Sequence, residues 1–397
     1  MATFFSKTSH VLSLSRLTLS VFLLPFFLLC SPGRPLAGEL PVCVTCHKKI
    51  AEKKYLHPVI MKGGCIACHT HPHSAKHKAE KFLFAQGVEL CLSCHDKTKF
   101  NNTVKHPPVA AGQCTLCHEV HSSDNPKLLK SAVPDLCFTC HDKAAFTDKT
   151  VHPPVAAGMC TACHNPHSTS AEKLLLAKLP DLCFTCHDKS MFMGKKGVHP
   201  PVAGGLCLSC HRPHASPNEK LLVKTPPELC FGCHDSKRFE GRKVEHAPVA
   251  AGLCLSCHAP HQSDSDKLLV QPIPALCFTC HEKDEFEYEN IHPPVAEGLC
   301  MACHRPHSGS HKNLIRARSK NALCLKCHKK VAREAHAVGG IGNGHPLATK
   351  RVVRMGKKRI RLSCLSCHLP HSSEWPRLFR YEAERPLELC GHCHKGK

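Results

Sequence analysis

Apolar and polar positions alternate along these 397 residues without a lasting period. Neither the 3.6-residue rhythm of an amphipathic helix nor the two-residue rhythm of a strand is sustained. One exception is the apolar run from Leu17 to Cys30, which ends VFLLPFFLLC, follows Lys7 and Arg16, and leads to small residues at Leu36–Ala37–Gly38. This reads as an export signal over residues 1–38, since the run is short for a spanning helix and Pro25 interrupts it. The remainder predicts a mostly irregular chain, with short helices where cysteine pairs fall and loops between them.

Those cysteine pairs set the true period. A unit recurs every 46 to 49 residues, with first cysteines at 43, 91, 137, 183, 230, 277 and 324. Second clusters begin at 65, 114, 160, 207, 254, 300 and, after a longer interval, 364, and one unpaired cluster at 390 closes the series. The unit boundaries expected are 39–86, 87–133, 134–179, 180–226, 227–273, 274–320 and 321–386, with a terminal segment at 387–397. Pro180–Asp181–Leu182 before Cys183 predicts a short helix capped by Asp181. Phe100, Phe146, Phe192, Phe239 and Phe286 stand five residues after the histidine of each such cluster, where they are expected to pack. A His-Pro-Pro-Val step follows; its prolines hold the histidine extended and are expected to forbid helix there.

Composition changes the picture. Aromatic content is 5%, with one tryptophan, which is poor material for a conventional core, while the chain carries 31 cysteines and 35 histidines. Each of the fifteen clusters reads C-x-x-C-H and together they use thirty cysteines; Cys30, in the signal, is the thirty-first. Structural zinc and disulfides also use C-x-x-C pairs, but neither requires a histidine directly after the second cysteine in fifteen cases of fifteen. C-x-x-C-H is the attachment signature of c-type haem: two thiols bond the porphyrin and the adjacent imidazole ligates iron.

The covalent positions are Cys43, Cys46, Cys65, Cys68, Cys91, Cys94, Cys114, Cys117, Cys137 and Cys140 in the first part of the chain. Cys160, Cys163, Cys183, Cys186, Cys207, Cys210, Cys230, Cys233, Cys254 and Cys257 continue the series. Cys277, Cys280, Cys300, Cys303, Cys324, Cys327, Cys364, Cys367, Cys390 and Cys393 complete it. The proximal iron ligands are His47, His69, His95, His118, His141, His164, His187, His211, His234, His258, His281, His304, His328, His368 and His394. Fourteen further histidines recur at fixed places and are the candidate distal ligands. Seven precede proline between the two clusters: His57, His106, His152, His199, His246, His292 and His345. Seven follow the second cluster: His73 (with His71 a rival), His121, His167, His214, His261, His307 and His371. A histidine three residues past its own proximal ligand does not curl to the far face of the same ring, so it is expected to serve a neighbour. The cluster at Cys390–His394 has no partner from this pattern, and its candidates are His77, His311, His336, His392 or a spare from His71 and His73.

The formal charge of +22 suggests nucleic acid or another anionic surface at first sight. Removing the signal takes away Lys7, Arg16 and Arg34, and ionised haem propionates offset most of the rest, so no nucleic-acid partner is expected. One basic stretch survives: residues 312–361 hold fifteen Lys or Arg and a single acid, Glu334, and read as a solvated hairpin or a docking face for an acidic redox partner.

CFTCHDKAAF, HPPVAAGMC and CTACHNPHS resemble the doubled CXXCH motif of multihaem c-type cytochromes, from about Val42 to His394. The resemblance implies an extended repeat array with about fifteen haem c groups as its core, in alternating stacked and perpendicular pairs. It implies an electron carrier or conduit in anaerobic or extracellular respiration rather than an enzyme, with no catalytic residues. The alternatives are a multihaem reductase with an open terminal haem and a polymerised extracellular filament. Redox proteins as donor and acceptor are the expected partners, with an outer-membrane porin or self-association as further ones. The periplasm or the outer cell surface is the expected place.

Overall fold

One unit shows how the sequence folds. The segment before Cys183 forms a single turn, Asp181–Phe184, in which Pro180 takes the cap with φ −86 and ψ −1 and accepts from the Cys183 and Phe184 N–H groups at 2.9 and 3.3 Å. Asp181 is therefore the first helical residue and does not cap, because its carboxylate starts one position too late to reach the second or third N–H. The capping acids come later: Asp96, Asp142 and Asp235, each directly after a proximal histidine, accept from the backbone N–H two residues on at 2.9 to 3.1 Å. After the turn Ser190–Met193 the chain extends through Gly197–Val198 into His199, whose φ −61 and ψ 129 are extended. The prolines do hold this histidine extended, but they do not forbid helix beyond it. Pro200–Ala203 is a helical turn, since the first helical positions need no N–H.

Gly205 then turns the chain with φ +69, and a Cβ there would lie 2.7 Å from Pro180 Cδ, so only glycine fits. The second cluster is a 3-10 turn, Cys207–Ser209. The chain next loops back on itself, Arg212 N–H to Leu221 O at 2.7 Å and Val223 N–H to Cys210 O at 2.9 Å.

The computed structural model describes residues 42–62, 64–70, 82–332, 352–355, 358–385 and 388–392. The segment 1–38 with Cys30, and His71, His73, His77, His336, His345, Cys393 and His394, lie outside them.

Units join through two-residue antiparallel pairs, always between neighbours. Gly197–Val198 pairs with Gln262–Ser263 of the next unit, and Ala215–Ser216 pairs with Thr150–Val151 of the previous one. The same exchange links Tyr55–Leu56 to Ser122–Ser123 at one end and Asn290–Ile291 to Ser372–Ser373 at the other. A longer hairpin, Val352–Met355 with Lys358–Arg361, stands in the basic stretch. Short helices, small strand pairs and irregular connections thus make up the described chain.

No described large apolar side chain is fully buried; the largest that are fully buried are Ser123, Ser168, Ser216 and Ser373. Side chains alone do not make a core here.

Candidate haem-binding sites

The thiols form a continuous file. Within a unit the first cysteines of the two clusters touch: Cys91 meets Cys114, Cys137 meets Cys160, Cys183 meets Cys207, Cys230 meets Cys254, Cys277 meets Cys300 and Cys324 meets Cys364. Across units the last cysteine of one cluster faces that of the next, as Cys117 faces Cys140 and Cys163 faces Cys186. No disulfide joins any two of the described cysteines. Burial, then the neighbouring thiol, pushes Cys230 and Cys277 up to about 11. Cys364 is lowered to about 7 by the hydrogen bond from Cys324.

Histidines separated by 35 to 67 residues meet in pairs along this file. Each histidine before proline meets the proximal histidine of the following unit: His57 with His95, His106 with His141, His152 with His187, His199 with His234, His246 with His281 and His292 with His328, at ring-centroid separations of 6.1 to 6.2 Å. Each histidine after a second cluster meets the proximal histidine of the preceding unit: His121 with His69, His167 with His118, His214 with His164, His261 with His211, His307 with His258 and His371 with His304, at 5.9 to 6.3 Å. Sequence reasoning placed these histidines in the pattern but not in these couples.

Second-sphere contacts fix most of the rings. In ten pairs one imidazole presents Nδ1 to a backbone carbonyl, which can only accept. That nitrogen therefore carries the proton and leaves Nε2 bare. His106, His152, His199, His246 and His292 bond the carbonyls of Pro166, Pro213, Pro260, Pro306 and Pro370 at 2.9 to 3.0 Å. His118, His164, His211, His258 and His304 bond the carbonyl nine residues on at 2.8 to 3.0 Å. The accepting residue is Lys127, Lys173, Lys220, Lys267 or Asn313, and it and the leucine after it are left-handed, with φ of 54 to 61. Two consecutive non-glycine residues in that region are strained by about 1–3 kcal/mol each. The Lys-Leu-Leu turn thus aims a carbonyl at a ligand, a role its sequence did not reveal.

The five-offset phenylalanines pack against the imidazole donated by the next unit. Phe100 lies 5.1 Å from His167, Phe146 4.8 Å from His214, Phe192 5.1 Å from His261, Phe239 4.8 Å from His307 and Phe286 4.8 Å from His371. Burial is also the largest cause of the lowered pKa of His121, His167, His214, His261, His307 and His371, with the facing imidazole next. They stay neutral, as a ligand must.

Two imidazoles across one metal, at about 2 Å per metal–nitrogen bond, put ring centroids roughly 6 Å apart. The pairs match that spacing. Among the described residues no three His, Cys, Asp or Glu side chains converge as a tetrahedral zinc site would need. Around the pairs runs a cavity of about 4000 Å³ lined by cysteines, histidines, prolines and leucines from Thr150 to Leu378, several times the size of a single small-ligand site. Paired thiols, bare Nε2 atoms and an apolar wall fit haem c. Seven segments, 57–100, 106–146, 152–192, 199–239, 246–286, 292–333 and 356–397, match the doubled CXXCH motif. The chain belongs to the doubled CXXCH motif family. The first six matched segments open at the histidine before proline and the first five close at the phenylalanine, so the motif runs across the junction between adjacent units. No curated protein matches the chain. As a doubled CXXCH protein it is a multihaem c-type cytochrome, a family of electron-transfer proteins.

Among the described residues, no helix is long and apolar enough to cross a membrane.

Proposed function

We propose that this cytochrome is an exported electron conduit with fifteen haem c groups, one on each C-x-x-C-H cluster, and histidine on both axial faces. The observation that supports this most is the set of twelve imidazole pairs at single-metal spacing beside an unbroken file of thiols. When bound, haem with two imidazole ligands supplies reversible one-electron transfer and offers no position to a substrate. The chain's residues would attach it, orient its ligands through carbonyl bonds, and keep successive attachment points close together, which is what conduction along the array requires.

By its place in the sequence, His345 before Pro346 is proposed as the partner of the last cluster at Cys390–His394; both histidines lie outside the described residues. His392 is engaged elsewhere, its Nε2 lying 2.9 Å from the Glu382 carbonyl and its ring 5.0 Å from Tyr381.

Export follows from the reading of residues 1–38, and with it an electron donor and an acceptor at the periplasm or cell surface, where a porin or further copies of the chain are candidate partners. Mass spectrometry of the exported protein tests the count: fifteen haem additions and a low-spin absorption spectrum are expected. A markedly smaller number overturns the reading, and a ferric high-spin fraction near one in fifteen turns it toward a reductase.

A further inference from the structure

His57 departs from the five other described histidines of its class. Its backbone N–H bonds the His121 carbonyl at 2.8 Å, the same link that joins His106 to His167 and His199 to His261, so the chain path is unchanged. Its side chain differs. The five equivalents donate Nδ1 to the carbonyl of a proline, but the residue at that place is Val120, and His57 makes no bond to it. His57 Nδ1 instead accepts from Val59 N–H at 3.4 Å. The cause lies two residues on. In units two to six the second position after the histidine is proline, which has no N–H, whereas the first unit reads His57–Pro58–Val59 and supplies a donor. The ring has turned accordingly: His57 and His95 meet at 76°, while the five equivalent pairs lie between 11° and 22°.

An imidazole whose Nδ1 accepts a hydrogen bond carries its neutral-form proton on Nε2, the atom that must be bare to ligate a metal. Ligation by His57 therefore requires moving that proton and breaking the Val59 contact, a cost its five equivalents do not meet. Nor does a carbonyl hold the turned ring, and His95 makes no carbonyl bond that would anchor the pair from the other side.

We propose that His57 is a displaceable distal ligand, and that the His95 site takes a small neutral π-acceptor such as carbon monoxide in its place when reduced. This rests on the haem reading above. The site is the third cluster along the chain, near one end of the array.

Carbon monoxide titration of the dithionite-reduced holoprotein, read by Soret difference absorbance, tests it. The wild type is expected to take up carbon monoxide, and the Val59→Pro/Val120→Pro variant, which supplies the two prolines that the equivalents in units two to six have, is expected to take up about one molecule fewer per chain. Proline at 59 is compatible with the turn, because the equivalent turns at Pro107–Ala110 and Pro200–Ala203 carry it. His57→Ala is a second test: it should leave the stoichiometry at the wild-type value while accelerating uptake. No uptake by the wild type, unchanged uptake in the double variant, or one extra molecule per chain in His57→Ala would each overturn the proposal. The haem count by mass spectrometry is measured on the same samples. A count far from fifteen sinks the fifteen-haem reading, whereas a full count with no displaceable ligand sinks only this inference.

Discussion

The imidazole of His167 faces that of His118 at 5.9 Å and 20°, although 49 residues separate them and His164, the proximal histidine of His167's own cluster, is only three away. His164 instead meets His214, 50 residues ahead. Each second cluster thus gives its trailing histidine backward and receives one from in front.

That direction makes a single substitution informative. His214→Ala should convert one site to high spin, about one part in fifteen of the absorbance, and added imidazole should restore it. Resonance Raman spin-state markers measure both steps. A fully low-spin variant would mean that His214 is not an axial ligand.

Glycine positions separate two kinds of backbone cost. Gly205→Ala meets both a positive φ and Pro180 at 2.7 Å, whereas Gly241→Ala has φ +74 and nothing within 4 Å. The first should lose about 2–4 kcal/mol and the second about 1–2 kcal/mol, the difference being the overpacking. Thermal unfolding of the two variants checks the order, and equal shifts would contradict it.

Acid should loosen the array from a defined point. Burial holds His167, His214 and His261 below the ordinary value of 6.5. An unfolded chain therefore binds more protons between that lowered range and 6.5, and stability rises with pH across the window. The contribution is complete above 6.5 and drains away as pH falls toward the folded-state values. Melting temperatures should be flat from pH 8 to about 7 and fall steadily below 6.5; a fall that begins in the alkaline range would contradict this.

The basic hairpin places Arg354 opposite Arg359 and Met355 opposite Lys358. The surrounding stretch, residues 312–361, is strongly basic, which draws an anionic partner. Changing Lys358 and Arg359 to glutamate should slow electron exchange with an acidic redox protein at low salt and leave the rate at high salt unchanged. Stopped-flow absorbance at two ionic strengths measures this, and a salt-independent loss would point to damage rather than docking.

Much of the site was legible because covalent chemistry is local. Cys137, Cys140 and His141 must be neighbours in sequence to be neighbours on one ring, so the clusters declare themselves. The position of His152 was legible too, because Pro153 and Pro154 mark it. Its opposite number, His187, was not, since that meeting depends on the chain path between units and on the two-residue pairing of Thr150–Val151 with Ala215–Ser216. The left-handed Lys220–Leu221 turn was hidden for another reason: lysine and leucine disfavour that conformation, and only the carbonyl bond to His211 explains it. Asp181 misled because Asp before an apolar run usually caps, and here Pro180 had already taken the position.

The two-way exchange of histidines also bears on how such a chain can change length. An interior unit gives one imidazole to each neighbour and receives one from each, so inserting or deleting a whole unit leaves every remaining ring with a counterpart of the same kind. An array built this way can grow by duplication of its middle, one repeat at a time, without any intermediate that exposes an unligated interior site.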